Sequence, residues 1–184
     1  MTRLRRRLTS SLAGRIERHV AEIGLPKRWH TREDSGLVLD RELNWIHDGE
    51  RITHPKIIEA FNQGLVPTDD GRFQLRIGND WAYVAVEGAA YRVNAIDTDD
   101  TRVYVRLSDR TGEALDPATL RLGEDGVLTA RVKDGRAEAR FSRDAQYALG
   151  QLLVPEGAGV AVVLPRARIE LPIDLSALLS ALAG

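Results

Sequence analysis

The chain has 184 residues, with 26 Lys+Arg against 27 Asp+Glu, four His and no Cys, for a formal charge of −1. A chain of that length buries about 70% of its extended surface in one or two domains. Its 43% hydrophobic and 29% charged residues are an ordinary globular composition. The absent cysteines exclude a disulfide scaffold, a thiolate nucleophile, Cys-ligated zinc and iron–sulfur clusters.

Charge divides the chain into an arm and a body. Residues 1–32 hold nine Lys/Arg and two acids, a net of +7, which leaves 17 bases and 25 acids, a net of −8, on the rest. Leu4, Leu8, Leu12, Ile16, Val20 and Ile23 recur at mostly four-residue steps and predict a basic amphipathic helix over Thr2–Ile23. Gly24 and Pro26 end it, and Gly24–Ser35 reads as a linker. Met1–Arg7 is basic like the start of a secretion signal, yet Leu8–Ile23 carries Arg15, Glu17, Arg18, His19 and Glu22, so no apolar stretch follows. Apolar runs such as Val160–Leu164 fall far short of the ~20 residues a bilayer span needs. The expected location is the cytoplasm. The helix stripe has two readings: packing on the acidic body or on a second copy, or attachment to an anionic lipid surface. Without stacking aromatics or a groove-reading motif, the helix is not expected to bind nucleic acid.

The body reads as one small unit used twice. Asn44–Ile52 holds two short strand-like runs around Asp48-Gly49, a strong hairpin signal. Thr53-His54-Pro55 then opens a helix, capped by Thr or His, with Ile57, Ile58, Phe61 and Leu65 inward and Gly64 as its stop. Downstream, Leu128–Val132, Lys133-Asp134-Gly135 and Arg136–Phe141 repeat strand, turn and strand. Ser142-Arg143 opens a second helix with Ala145, Leu149 and Leu152 inward. Alternation predicts further strands over Phe73–Ile77, Trp81–Glu87, Tyr91–Ile96, Val103–Leu107, Val160–Leu164 and Arg168–Leu171. Asp174 would cap a last apolar helix, Leu175–Ala183. Tight turns between strands predict antiparallel sheets, and the class is α+β. The arm and linker occupy residues 1–35, and two α+β subdomains occupy 36–98 and 99–184.

The stretch Trp45–Val93 resembles the bacterial domain-of-unknown-function family 1285. The matching residues are Gly49, Ile52 and His54; Ile57, Ile58 and Phe61; Asp70, Gly71, Phe73 and Leu75; and Val86-Glu87. Ser142, Arg143, Tyr147 and Leu149 are similar to the opening of that family's C-terminal helix. Strong matching covers about 50 residues, and weak matching about 15 more. The resemblance implies a duplicated core, a C-terminal half loosely like a pleckstrin-homology fold, and an interdomain cleft for a nucleotide-like ligand in signalling. The chain departs from the family's pattern at Gly78–Trp81, at Gly88–Tyr91 and in its basic arm.

The residues also carry chemistry of their own. His47, Asp48 and His54 are donors of a kind that suits zinc or iron, but the turn already explains Asp48-Gly49, and no metal or cofactor is expected. No G-x-S-x-G elbow or Ser/His/Asp order stands out, so no catalytic residue is assigned and an enzyme is not expected. Gly157-Ala158-Gly159 lacks the third glycine and the following helix of a dinucleotide fingerprint. What stands out is the shared helix start, Thr53-His54 and Ser142-Arg143. A cation in the first turn opposes the helix dipole at a cost of about 0.3–1 kcal/mol, whereas free N–H groups, a hydroxyl and a cation together suit an anion. The plainer reading pairs Arg143 with Asp144 and leaves His54 neutral. With Trp45, Trp81 and Tyr147 as an apolar wall, these four residues are expected to hold a phosphate or carboxylate ligand between the duplicated halves. That describes a non-catalytic ligand-binding or regulatory protein. The alternative is an interaction module that pairs with itself or a protein partner through the N-terminal or C-terminal helix.

Overall fold

Residues 31–174 are described by a computed structural model, so the helices expected over Thr2–Ile23 and Leu175–Ala183 lie outside the described residues. The described chain forms three mostly antiparallel sheets and two α-helices. The first sheet takes β1 (Leu37–Leu39), β2 (Trp45–His47), β3 (Glu50–Arg51), β4 (Leu65–Pro67), β5 (Phe73–Ile77) and β6 (Asp80–Val86), in the order β3-β2-β1-β6-β5-β4. Helix α1 (Pro55–Gly64) joins β3 to β4. The second sheet takes β7 (Tyr91–Thr98), β8 (Val103–Leu107), β9 (Gly112–Ala114), β10 (Arg121–Leu122), β11 (Leu128–Val132) and β12 (Ala137–Phe141), in the order β10-β11-β12-β7-β8-β9. Helix α2 (Arg143–Gly150) follows and packs on β7 and β12. A third sheet of β13 (Leu153–Glu156), β14 (Gly159–Leu164) and β15 (Ala167–Asp174) lies against β10 and the 3-10 turn Pro117–Thr119. Asp174, expected as a helix cap, is the last residue of β15.

The expectation of wholly antiparallel sheets is corrected at two places. In both six-stranded sheets two three-stranded meanders meet through a parallel central pair, β1 with β6 (Val38↔Ala85) and β7 with β12 (Arg92↔Arg140). A parallel pair needs a long crossover, and α1 supplies it in the first sheet. The first meander runs outward from the centre and the second runs back to it, so hairpin patterns alone do not reveal the central pairing. The chain passes between the sheets at Glu87–Ala90, and residue 98 ends β7 inside the second sheet.

The two Asp-Gly hairpins differ in shape. Asp48 and Gly49, with φ of 49° and 83°, form a two-residue turn between His47 and Glu50, as a type I′ turn requires. The loop between Val132 and Ala137 has four residues, and Lys133, Asp134 and Gly135 are all left-handed, with φ of 56°, 55° and 76°. The helix starts differ too. The N-cap of α1 is His54, which makes no side-chain cap bond, while Ser142 Oγ accepts the Ala145 N–H at 3.2 Å before α2. At the far end of α1, a Cβ on Gly64 would lie 2.4 Å from the Arg76 carbonyl oxygen, so glycine allows the helix to close onto β5.

One core runs through both six-stranded sheets and the third, from Leu39, Trp45 and Phe61 to Val105, Leu149 and Val162. Tyr91, 1% exposed, bridges the halves by donating its hydroxyl to the Leu65 carbonyl at 2.8 Å. Burial, with the charges of Asp109 and Glu113, pushes its phenol above the ordinary value. A raised folded-state pKa contributes stability that is complete below the unfolded value near ~10 and falls as pH rises toward the folded one. Tyr91→Phe is expected to lose about 1 kcal/mol at neutral pH and to flatten the decline above about pH 10. Urea unfolding at both pH values measures each effect.

Candidate ligand-binding site

The β11–β12 turn is held by its surroundings in a conformation that Lys and Asp rarely adopt, at about 1 kcal/mol or more for each residue. The Lys133 N–H donates to Glu113 Oε1 at 2.9 Å. Its ammonium donates to Asp109 Oδ2 and Thr111 Oγ1, both at 2.6 Å, and lies 5.0 Å from the centre of the Tyr91 ring. The pair is largely enclosed, the Lys133 side chain 16% exposed and that of Asp109 7%. Burial pushes the Asp109 carboxyl up. Hydrogen bonds from the Lys133 ammonium and from the Thr111 hydroxyl and N–H, with the Lys133 charge, outweigh that and hold it below the ordinary value. Folding thus fixes one base so that the turn can present others.

Beside this turn lies a pocket of about 500 Å³, lined by Arg131, Lys133, Asp134 and Arg136 from the hairpin and by Glu113, Asp116 and Thr119 opposite. Arg131 points outward because its neighbours Ala130 and Val132 are buried. Its backbone N–H is bonded to Thr119 Oγ1, but among the described residues its guanidinium has neither a hydrogen bond nor an ion pair. Arg136 donates its Nε–H to the Lys133 carbonyl at 3.2 Å and lies 3.6 Å from Asp69 and 3.8 Å from Asp134. Asp69 belongs to the β4–β5 turn of the first sheet, so the pocket edge lies where the two sheets approach. Glu59 of α1 and Arg110 of the β8–β9 turn form another ion pair between the halves. A second pocket of about 290 Å³ shares Ala114 and Asp116 with the first and adds Val103, Leu115, Pro117 and Ile169. A charged compartment, in which Arg131, Lys133 and Arg136 face Glu113, Asp116 and Asp134, therefore adjoins a more apolar one that Arg102 and Asp116 border.

The residues singled out from the sequence lie elsewhere, and none of them lines either pocket. Trp45 is 1% exposed, edge-on to Phe61 at 5.1 Å, with its indole N–H bonded to Asn62. Trp81 is on the opposite face of the same sheet, against Tyr83 and under the Arg32 guanidinium. Tyr147 is 65% exposed on α2. Thr53 is exposed and His54 half-buried at the start of α1. Ser142 caps α2, and the exposed Arg143 forms no ion pair among the described residues, so its expected pairing with Asp144 is absent. Sequence reasoning missed Arg131, Lys133 and Arg136, although three bases around one Asp-Gly turn were a usable signal. Among the described residues no group of three His, Asp or Glu is placed to hold a metal ion, and no helix is long and apolar enough to cross a membrane.

No protein-family model matches the chain, and no curated protein matches it. Two solved structures do. A DUF1285 family protein from Silicibacter pomeroyi DSS-3 superimposes with a TM-score of 0.58 over 78% of this chain and 82% of its own, at 16% identity. One from Shewanella baltica OS155 gives 0.48 over 64% of this chain and 91% of its own, at 18% identity. The fold is thus an α+β arrangement already seen in a bacterial protein. It is similar to the fold of the Silicibacter DUF1285 structure, a protein of the family that the stretch Trp45–Val93 resembles.

Proposed function

We propose that this protein is a non-catalytic binding or regulatory protein for a small anionic molecule that carries a ring. The reading rests on one observation, the uncommitted Arg131 guanidinium in a 500 Å³ pocket that shares Ala114 and Asp116 with a neighbouring, more apolar one. A guanidinium presents five donors in a fixed fork that matches phosphate or carboxylate oxygens. Arg136 would supply a second cation, and the wall of Val103, Leu115 and Ile169 would take the ring. An anion that draws Arg136 inward would loosen its contact with Asp69, which couples occupancy of the second sheet to the first. The twofold use of one sheet plan fits the duplicated core implied by the resemblance, with the site near the junction of the copies.

Adenosine monophosphate and inorganic phosphate are suitable probes. A ligand at a hundred times its Kd stabilises the folded state by about 2.7 kcal/mol, a rise of roughly 5–10 °C for a chain of this size. The expected result is a rise in melting temperature with adenosine monophosphate that exceeds the rise with phosphate and is lost in Arg131→Gln. The same titration of Arg143→Gln tests the helix-start reading, which Arg143's lack of an ion pair keeps in play. Loss there with retention in Arg131→Gln moves the site to α2. No rise with either probe in the unaltered protein rejects the proposal.

A further inference from the structure

The two six-stranded sheets follow one plan, and the places where they differ show how the pocket arises. In the β4–β5 turn the Thr68 N–H bonds to the Arg72 carbonyl, the Gly71 N–H to the Thr68 carbonyl, and Asp70 Oδ1 accepts the Arg72 N–H. In the β10–β11 turn Gly123, Gly126, Val127 and Asp125 repeat that pattern bond for bond. Strand β11 thus corresponds to β5, and Arg131 to Arg76. Arg76 donates from Nε and Nη2 to Gln74 Oε1, at 3.1 and 3.0 Å. Thr129 stands at the place of Gln74, and the Arg131 guanidinium has no such bond among the described residues. The crossovers differ as well. Residues 52–64 lead from β3 to β4 and include α1, which packs on β5 and ends at Gly64 against the Arg76 carbonyl. Residues 115–120 lead from β9 to β10 with the short 3-10 turn Pro117–Thr119, whose Thr119 Oγ1 accepts the Arg131 N–H at 3.1 Å. The pocket opens beside β11, where the first sheet has its helix beside β5.

The shortened crossover leaves charge of both signs in that opening. Lys133 is paired with Asp109, so Arg131 and Arg136 face Glu113, Asp116 and Asp134. Glu113 Oε1 accepts the Lys133 N–H at 2.9 Å and Asp116 Oδ1 the Ala118 N–H at 3.0 Å. The second oxygen of each carboxylate has no hydrogen bond among the described residues. The neighbouring pocket shares Asp116 and adds one base, Arg102, and no further acid. A purely anionic ligand would meet the Arg131 guanidinium but also three carboxylates, whereas a molecule of both signs complements the whole lining. We infer that the ligand is a zwitterion: a small ring-bearing molecule with an ammonium and an acid group, of which an aromatic α-amino acid is the simplest case. This rests on the anion site proposed at Arg131 and adds a cation site at Glu113 and Asp116. The acid group would lie on the Arg131 fork. The ammonium, with three donors and no acceptor, would donate to the second oxygens of Glu113 and Asp116. The ring would turn past Ala114 toward Val103, Leu115 and Ile169.

L-Phenylalanine and 3-phenylpropionate differ by the ammonium group alone, and calorimetric titration of the full-length protein with each tests the cation site. Phenylalanine should bind at least about tenfold more tightly, and Arg131→Gln should weaken both compounds. Glu113→Gln and Asp116→Asn remove charge but keep the oxygens that accept the Lys133 and Ala118 N–H groups, so the turn and its cap are retained. Each should weaken phenylalanine about tenfold and leave 3-phenylpropionate unchanged or tighter, a split that loss of structure would not produce. Binding of 3-phenylpropionate as tight as that of phenylalanine, and weakened by Arg131→Gln, overturns the inference and leaves the anion site standing. Phenylalanine binding that Arg131→Gln does not change overturns both. No binding of phenylalanine also overturns the inference, and the anion site falls with it where adenosine monophosphate and phosphate give no rise in melting temperature.

Discussion

Asp109→Ala is expected to destabilise the protein by about 3 kcal/mol, because it strips the counter-charge from a largely buried ammonium. Lys133 would keep the Thr111 hydroxyl and the face of Tyr91, and neither neutralises it. For a chain of this size the loss lowers the melting temperature by roughly 6–12 °C. The damage should also reach the pocket, since Lys133 anchors the left-handed turn that joins the strand carrying Arg131 to Arg136. Adenosine monophosphate should therefore raise the variant's melting temperature less than the parent's. The double variant Asp109→Leu with Lys133→Met separates charge from packing: removing both partners should recover stability relative to Asp109→Ala. A loss below about 1 kcal/mol would show that the pair behaves as a solvated surface bridge. The pH dependence follows from the depressed carboxyl. A folded pKa below the unfolded value near ~3.9 contributes stability that is complete above that value and fades as pH falls through the folded pKa. The parent should therefore lose more stability below about pH 4 than the double variant does.

Much of the fold was legible because a few local rules operate unopposed. The Asp48-Gly49 and Lys133–Gly135 turns, the Pro55 and Ser142 helix starts and the alternation through β5, β8 and β11 all lie where their residues place them. What escaped was short or set by partners distant in sequence. Strands β1, β3, β4, β9 and β10 have two or three residues each, too few to show a period, and β4 and β13 contain proline. The parallel central pairs arise when whole meanders meet, which no local pattern encodes. The site was hidden for a related reason: Arg131 and Arg136 resemble any outward-facing strand bases until Lys133 is seen to be consumed by Asp109. Spacing identified bases at helix starts. Tertiary structure separates the committed from the uncommitted.

Trp45 makes the same point in reverse, as a residue whose chemistry suits a ligand and whose environment suits a core. Its ring is 1% exposed, lies at 77° to Phe61, and donates its indole N–H to Asn62 Oδ1 at 2.8 Å, so it ties β2 to α1 by packing and by a hydrogen bond. Trp45→Ala is expected to cost about 3–5 kcal/mol, the range for deleting a buried aromatic side chain. Because α1 meets the second sheet through Glu59 and Arg110, and Leu65 meets it through Tyr91, the loss should appear as a lower urea midpoint for the whole chain. Trp45→Phe keeps most of the apolar volume and removes the donor to Asn62, and should cost about 1–2 kcal/mol. That variant also decides the residue's role. If Trp45 belongs to the core, the variant loses stability but keeps the full rise in melting temperature with adenosine monophosphate. If it walls a binding site between the helix starts, that rise shrinks well beyond the change in stability, and the pocket beside the β11–β12 turn loses its claim to the ligand.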